Sequence, residues 1–200
     1  MTDPSSAGPV RLVLATHNTH KVAELRRILG AQLDGIELIG YDGPEPVEDG
    51  LTFGENALIK ARAAAKHTGL AAIADDSGIS VDALGGAPGI HSARYAGNRD
   101  DRENLDLLLA NLVGTTDRSA QFNCAAALVV GDFEHVENGV WPGSVLLDPA
   151  GVGGFGYDPV FRPDGLDVSA AQLTADEKNA ISHRARAFGQ IMPVVRARLL

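Results

Sequence analysis

At 200 residues the chain is long enough for one domain with a sizeable core, or at most two small ones, and we read a single domain over residues 10–200. A hydrophobic content of 44% against 22% charged residues excludes wholesale disorder. The formal net charge of -9 argues against a nucleic acid polymer as main partner, because neutralising its phosphates needs a basic surface.

Residues 1–9, MTDPSSAGP, lack the basic and apolar regions of a signal peptide and read as a flexible tail. No apolar run approaches the ~18 residues of a membrane span. Val10 to Ala15 is a β-branched and aliphatic run, a strand, and Val22, Leu25, Ile28 and Leu29 then recur at helical spacing, so Lys21 to Leu29 is expected to be an amphipathic helix. Residues 40–50 carry three glycines and two prolines and form a loop. Thr52-Phe-Gly-Glu55 fits a capping box that opens an Ala-rich helix over Ala57 to Lys66, with Gly69 as its terminator.

Leu70 to Ala74 is a short strand expected to end at Asp75 and Asp76, and Gly85-Gly-Ala-Pro-Gly89 is a loop. Leu105, Leu108, Leu109 and Leu112 mark one face of a third helix. Two strands follow, Ala120 to Val130 and Phe133 to Trp141, joined by a connection short enough to require antiparallel pairing. Cys124, within the first of them, has no disulfide partner, which suits a reducing cytoplasm, and reads as core. A second capping box, Thr174-Ala-Asp-Glu177, opens a C-terminal helical region in which Pro193 is expected to kink or end the helix. Helices alternating with strands give an α/β class with a mixed sheet.

Four groups of residues could carry chemistry. Thr16-His-Asn-Thr-His-Lys21 lies between strand and helix, where free N–H groups favour an anion; the alternative is a polar turn with a helix cap. Glu48 and Asp49 precede the Ala-rich helix, and Asp75 and Asp76 end the next strand. Carboxylates converging from two segments are what Mg²⁺ needs when it also holds phosphates; in so acidic a chain, any one of them could equally be a solvated surface group.

Gly151-Val-Gly-Gly-Phe-Gly156 formally matches G-x-G-x-x-G, but Tyr157-Asp-Pro159 follows at once and no helix opens there, which excludes nicotinamide binding. Those glycines allow a close approach to a flat ligand with Phe155 or Tyr157 stacking, or else form a turn whose aromatics are core.

Lys178, His183 and Arg184 pose a geometric problem: on one continuous helix at ~100° per residue, Lys178 and His183 diverge by about 140°. A break at Ser182, with that serine capping a new helix, lets the three converge; the alternative is a solvated basic face. His17, His20, His67, His91 and His135 show no metal-ligand spacing. Ser77 has no histidine base in its motif, which excludes a covalent serine mechanism.

Together these segments resemble the non-standard purine nucleoside triphosphate pyrophosphatases, the inosine triphosphatase family. The resemblance rests on Thr16 to Lys21, Gly50 to Ala57, Ala74-Asp-Asp-Ser-Gly78, Gly85 to Gly89, Trp141-Pro-Gly143, Gly153 to Pro159 and Glu177 to Arg184, in the family's order. It implies hydrolysis of inosine, deoxyinosine and xanthosine triphosphates to the monophosphate and pyrophosphate with Mg²⁺. It also implies a homodimer of elongated, two-lobed α/β subunits, with the active-site cleft between the lobes. By that resemblance Thr16, His17, Asn18, Thr19, His20 and Lys21 line the triphosphate, with Thr16, Asn18 and Lys21 holding it. Glu48 and Asp76 serve the metal, and Asp76 accepts the proton.

The resemblance further puts Ser77 beside the substrate and Phe155, Gly156, Tyr157 and Asp158 against the nucleoside, while Lys178, His183 and Arg184 complete the pocket. Arg184 or His183 is expected to donate to the 6-oxo edge of the base. Strand alternation and the resemblance together put Asp76 alone in the cleft, with Asp75 on the other side or holding the turn. Ala185, Gln172 and His17 depart from the family's commoner residues.

Overall fold

The computed structural model describes residues 8–17 and 19–200, with only the backbone of Thr19 and His20. The expected tail lies outside the described residues except for Gly8 and Pro9, and Asn18 lies outside them too. β1 (Val10–Leu14) leads into α1 (Thr19–Leu29) and returns as β2 (Ile36–Gly40), parallel to it. β2 is a strand the sequence reading omitted.

The capping box forms as expected: Thr52 accepts from the Glu55 N–H, and α2 (Phe53–Thr68) ends at Gly69 with φ 69°. β3 (Ala71–Val81) pairs in parallel with β1 only as far as Leu14 and Ile73, then stays antiparallel to β4 (Ser119–Val130) along its whole length. The strand therefore does not end at the aspartates; β4 carries it through them to Val81.

α3 (Asp101–Asn111) lies between β3 and β4 in the chain. β4 turns at Gly131, whose φ of 57° suits the first position of a two-residue hairpin turn, into β5 (Phe133–Val145), which pairs with β6 (Phe161–Pro163). The sheet order is β2-β1-β3-β4-β5-β6, parallel on one side and antiparallel on the other.

Two lobes follow from where the apolar faces go. Around the parallel half, Leu12, Leu14 and Ile73 pack against Leu25 of α1 and against Phe188, Ile191, Met192 and Val195. Ala57, Ala61 and Ala64 of α2 cover the opposite face over Val13, Ala72 and Ala74, small residues that let helix and sheet approach closely. The second lobe gathers Ile79, Val81, Leu105, Leu108, Phe122, Trp141 and Phe161 around the far end of the sheet.

The C-terminal region breaks at Ser182, as expected. α4 (Ala175–Ile181) and α5 (His183–Leu199) meet at that serine, which is extended (φ -66°, ψ 161°) and caps α5 by accepting from the Ala185 N–H. Pro193, however, neither kinks the chain out of α5 nor ends it: the helix runs through to Leu199. Proline costs a helix interior about 3 kcal/mol. Here its ring is on the exposed side while Ile191, Met192 and Val195 are fully buried on the other, and that packing offsets the cost.

Candidate active site

β3 turns its backbone N–H and C=O groups alternately towards β4 and away from it. Ile73 accepts from Ala15 of the β1 side, and the backbone of Ile79 bonds to the Ser92 hydroxyl. Between them the edge of β3 opens into a cleft of about 1030 Å³, and alternation points the backbones of Asp75 and Ser77 into it.

The two aspartates flank this edge. Asp75, 3% exposed, accepts from Lys21 at 3.2 Å and from Arg184 at 3.2 Å. Burial by itself would raise its carboxyl, but Lys21, Arg184 and Lys60 together hold it well below the usual carboxylate range. Asp76 faces the other way, towards α2, where Lys60 Nζ lies 3.2 Å from Asp76 Oδ1 and 3.0 Å from Glu48 Oε2. Asn56, one turn earlier, donates to Asp76 Oδ2 and accepts from the Gly50 N–H, tying the loop of Glu48 to the strand. For Asp76, burial dominates and raises the carboxyl; Lys60 opposes this, and Glu48 and Asp75 add to it. Lys60 is held charged, because burial, which would discharge it, is outweighed by Asp76, Asp75 and Glu48.

Both residues line the cleft, but their side chains are not alike: that of Asp75 is 1% exposed and taken up by Lys21 and Arg184, the hydrogen-bonded role expected of it, whereas that of Asp76 is 14% exposed. The pleat puts the two side chains on opposite faces, Asp75 against Lys21 and Arg184 and Asp76 against Lys60.

At the other end of the cleft, Asp158 is buried, accepting from Lys178 Nζ at 2.5 Å and from the Phe155 N–H at 2.8 Å. Gly154, at φ 70°, lies so close over the Asp158 carboxylate that a Cβ there would collide with it. The turn splits its two aromatics. Tyr157 is core, its hydroxyl donating to Ser92 O, whereas Phe155 is 52% exposed with Lys178 Nζ 4.8 Å from its ring centroid.

His183 is buried and stacks on Phe122 at 4.8 Å between centroids, with Trp141 beyond. Burial, followed by the charges of Arg184 and Lys178, keeps it neutral, and its Nδ1 has no hydrogen-bond partner among the described residues. Arg184 is also buried: Nε and Nη2 bond Asp75, Nη1 bonds Glu24 and Nη2 also reaches Ser77. Its donors are thus largely occupied by the protein.

Of the residues expected to form a site, Thr16, His17, Lys21, Glu48, Asp76, Ser77, Phe155, Gly156, Tyr157, Asp158, Lys178, His183 and Arg184 all line this one cleft. Asn18 and the side chains of Thr19 and His20 lie outside the described residues. The His17 ring is bonded to Gly43 and Glu45.

Sequence reasoning passed over Lys60, Asn56 and Glu24. For the first two a signal existed: they are polar residues one turn apart on a helix face otherwise made of alanine.

A family model described as the Ham1 family matches residues 12–194. A protein of Leifsonia xyli subsp. xyli named dITP/XTP pyrophosphatase is 58% identical over 192 residues, covering 94% of this chain and 96% of that relative. The solved HAM1 protein of Coxiella burnetii superposes with a TM-score of 0.86 at 43% identity, over 94% of this chain and 99% of that one. A Mycobacterium abscessus structure described as a nucleoside-triphosphatase / dITP/XTP pyrophosphatase gives a TM-score of 0.76 at 47% identity, over 92% and 100% of the two chains. A match along nearly the whole length, in sequence and in fold, carries one conclusion: the chain belongs to the Ham1 family.

Proposed function

We propose that this protein hydrolyses non-standard purine nucleoside triphosphates, dITP, ITP and XTP, to the nucleoside monophosphate and pyrophosphate, removing them from the nucleotide pool. The observation that carries this reading is a single cleft with a carboxylate pair at one end and an open aromatic ring beside an ammonium at the other. The names of the relatives point the same way.

Glu48 and Asp76 are the residues that would hold Mg²⁺. Two carboxylates converging on one cationic group, with the remaining positions left to water and phosphate oxygens, fit the way this ion binds at phosphate sites. Bound there, the ion supplies charge neutralisation for the phosphates and acidifies water. Asp76 takes the proton of the attacking water; its raised carboxyl suits a general base better than an ordinary aspartate would. Lys21 and the start of α1 stabilise the charge that grows on pyrophosphate as the anhydride bond breaks. Asp75 keeps Lys21 and Arg184 in place.

Phe155 stacks on the base. Lys178 uses one N–H on Asp158 and, among the described residues, keeps two more beside the ring of Phe155, which makes it a further donor to the 6-oxo group alongside the expected Arg184 or His183. Adenine presents a 6-amino donor at that position. Leaving one such group unpaired costs about 1–3 kcal/mol, so ATP should be disfavoured roughly ten- to hundredfold. A homodimer and a cytoplasmic location complete the proposal, both on the family resemblance.

The test is incubation with ITP, XTP, dITP, GTP and ATP plus Mg²⁺, measuring pyrophosphate against orthophosphate. Pyrophosphate from ITP and XTP, well above GTP and ATP and lost in Asp76→Asn, is the expected result. Orthophosphate as direct product, or near wild-type turnover in Asp76→Asn, refutes it.

A further inference from the structure

The loop that carries Glu48 has little backbone to hold it. Among the described residues, 42–49 make no backbone-to-backbone hydrogen bond. Side chains do the holding: the Tyr41 hydroxyl donates to Pro44 O, Lys60 bonds Glu48, and His17 bonds both Gly43 and Glu45. The His17 ring also packs 5.5 Å from the ring of Tyr41.

The chemistry of that His17 contact is specific. Nε2 is 2.8 Å from Gly43 O, which can only accept, so Nε2 donates. Nδ1 is 3.0 Å from a Glu45 carboxylate oxygen, which also accepts when ionised. Both ring nitrogens are thus engaged by one short segment, Gly43 O on one side and the Glu45 carboxylate on the other. His17 is in the turn between β1 and α1 that leads to Lys21. The contact therefore joins the anion-binding turn to the loop of Glu48, across 26 and 28 residues of chain.

We propose that His17 is a positioning residue, a two-contact strap that holds the Gly43–Glu45 segment against the anion-binding turn and so keeps Glu48 poised beside Asp76. The strap links the two halves of the triphosphate site: ordering the turn around an anion orders the loop that presents the metal carboxylate. A contact this exposed is weak alone, so the strap biases the loop rather than locking it.

The test uses the full-length protein and the variants His17→Ala, Glu45→Ala and the double variant. Amide hydrogen exchange at Gly50, whose N–H donates to Asn56 Oδ1 where the loop closes, measured without metal or nucleotide, should speed up about fivefold in each single variant, and no further in the double variant, while α2 and β3 exchange as in wild type. Unchanged exchange in the single variants, or effects that simply add in the double one, overturns the strap.

A second readout rests on the proposed function. In His17→Ala the Mg²⁺ concentration for half-maximal pyrophosphate release from ITP should rise about fivefold, a larger change than that in kcat at saturating Mg²⁺. Loss confined to kcat means that the ring acts on substrate and overturns the proposal. The exchange experiment stands whether or not the protein hydrolyses ITP, so failure of the strap and failure of the function are distinguishable.

Discussion

Lys60→Met puts the centre of the site under the most direct strain. The lysine, with its side chain 15% exposed, bridges Glu48 and Asp76, which are 25% and 14% exposed. At an effective dielectric of about 20, unit charges 3 Å apart attract by about 5 kcal/mol, most of which desolvation cancels. Removing one partner of a fully buried pair costs about 3–5 kcal/mol net, and of an exposed pair about 0–1. This partly buried bridge lies between the two, at about 2 kcal/mol. For a domain of this size that is a fall of about 4–8 °C in Tm, read by calorimetry of the metal-free protein. The variant also leaves two converging carboxylates without their cation, so Mg²⁺ should raise Tm more in Lys60→Met than in wild type. A metal-free variant that melts with wild type, and gains no more than wild type from Mg²⁺, refutes the reasoning that the two carboxylates form one cation site.

Three further outcomes follow from the same geometry. Phe155→Ala should leave Tm within about 1 °C, since the ring is 52% exposed, and raise KM for ITP about tenfold; Tyr157→Phe should do the reverse, losing about 1 kcal/mol in denaturant unfolding with the bond to Ser92 O. The acid limb of kcat/KM should lie above the ordinary aspartate value of about 3.9, because the base must be ionised and Asp76 is raised. Added Mg²⁺ should move that limb to lower pH, and a limb indifferent to Mg²⁺ counts against Asp76 as both base and ligand. His183 is held neutral when folded and takes up a proton when unfolded, so the unfolded state binds more protons below about pH 6.5 and stability falls as pH drops. Denaturation at pH 7.5 and 5.5 should show a smaller fall in His183→Phe, which keeps the stack on Phe122 without the titration.

Much of this was legible before any coordinates, and the physical reasons differ by element. Thr52 and Ser182 could be read because a cap is a local bargain between one side chain and the nearest free N–H groups. The break at Ser182 was expected from angular geometry together with the serine's capping chemistry, since no single helix brings Lys178 and His183 to one ligand. β2 escaped notice because five residues between a glycine-ended turn and a loop show too little alternation, and its strand character comes from pairing with β1. β3 was cut short for the same reason: Asp75, Asp76, Ser77 and Gly78 are poor strand formers, and only β4 makes them one. Lys60 was hidden because its partners are 12 and 16 residues away in sequence. Pro193 misled because a local penalty was read without the buried face of α5 that outweighs it.

Adjacent aspartates with opposite shifts explain why the strand carries a pair. Successive side chains on β3 must diverge, so each carboxylate meets its own counter-charges: Lys21 and Arg184 for one, Lys60 for the other. Asp75 is driven down and is fully committed to two cations, so it competes for neither proton nor metal. Asp76 is driven up, shares its lysine with Glu48, and keeps the basicity that proton transfer needs. Moving either residue by one position would exchange the two environments. Because both residues are aspartate, the shift belongs to the position and not to the side chain: whichever carboxylate meets Lys60 and Glu48 is the one driven up, and whichever meets Lys21 and Arg184 is the one driven down.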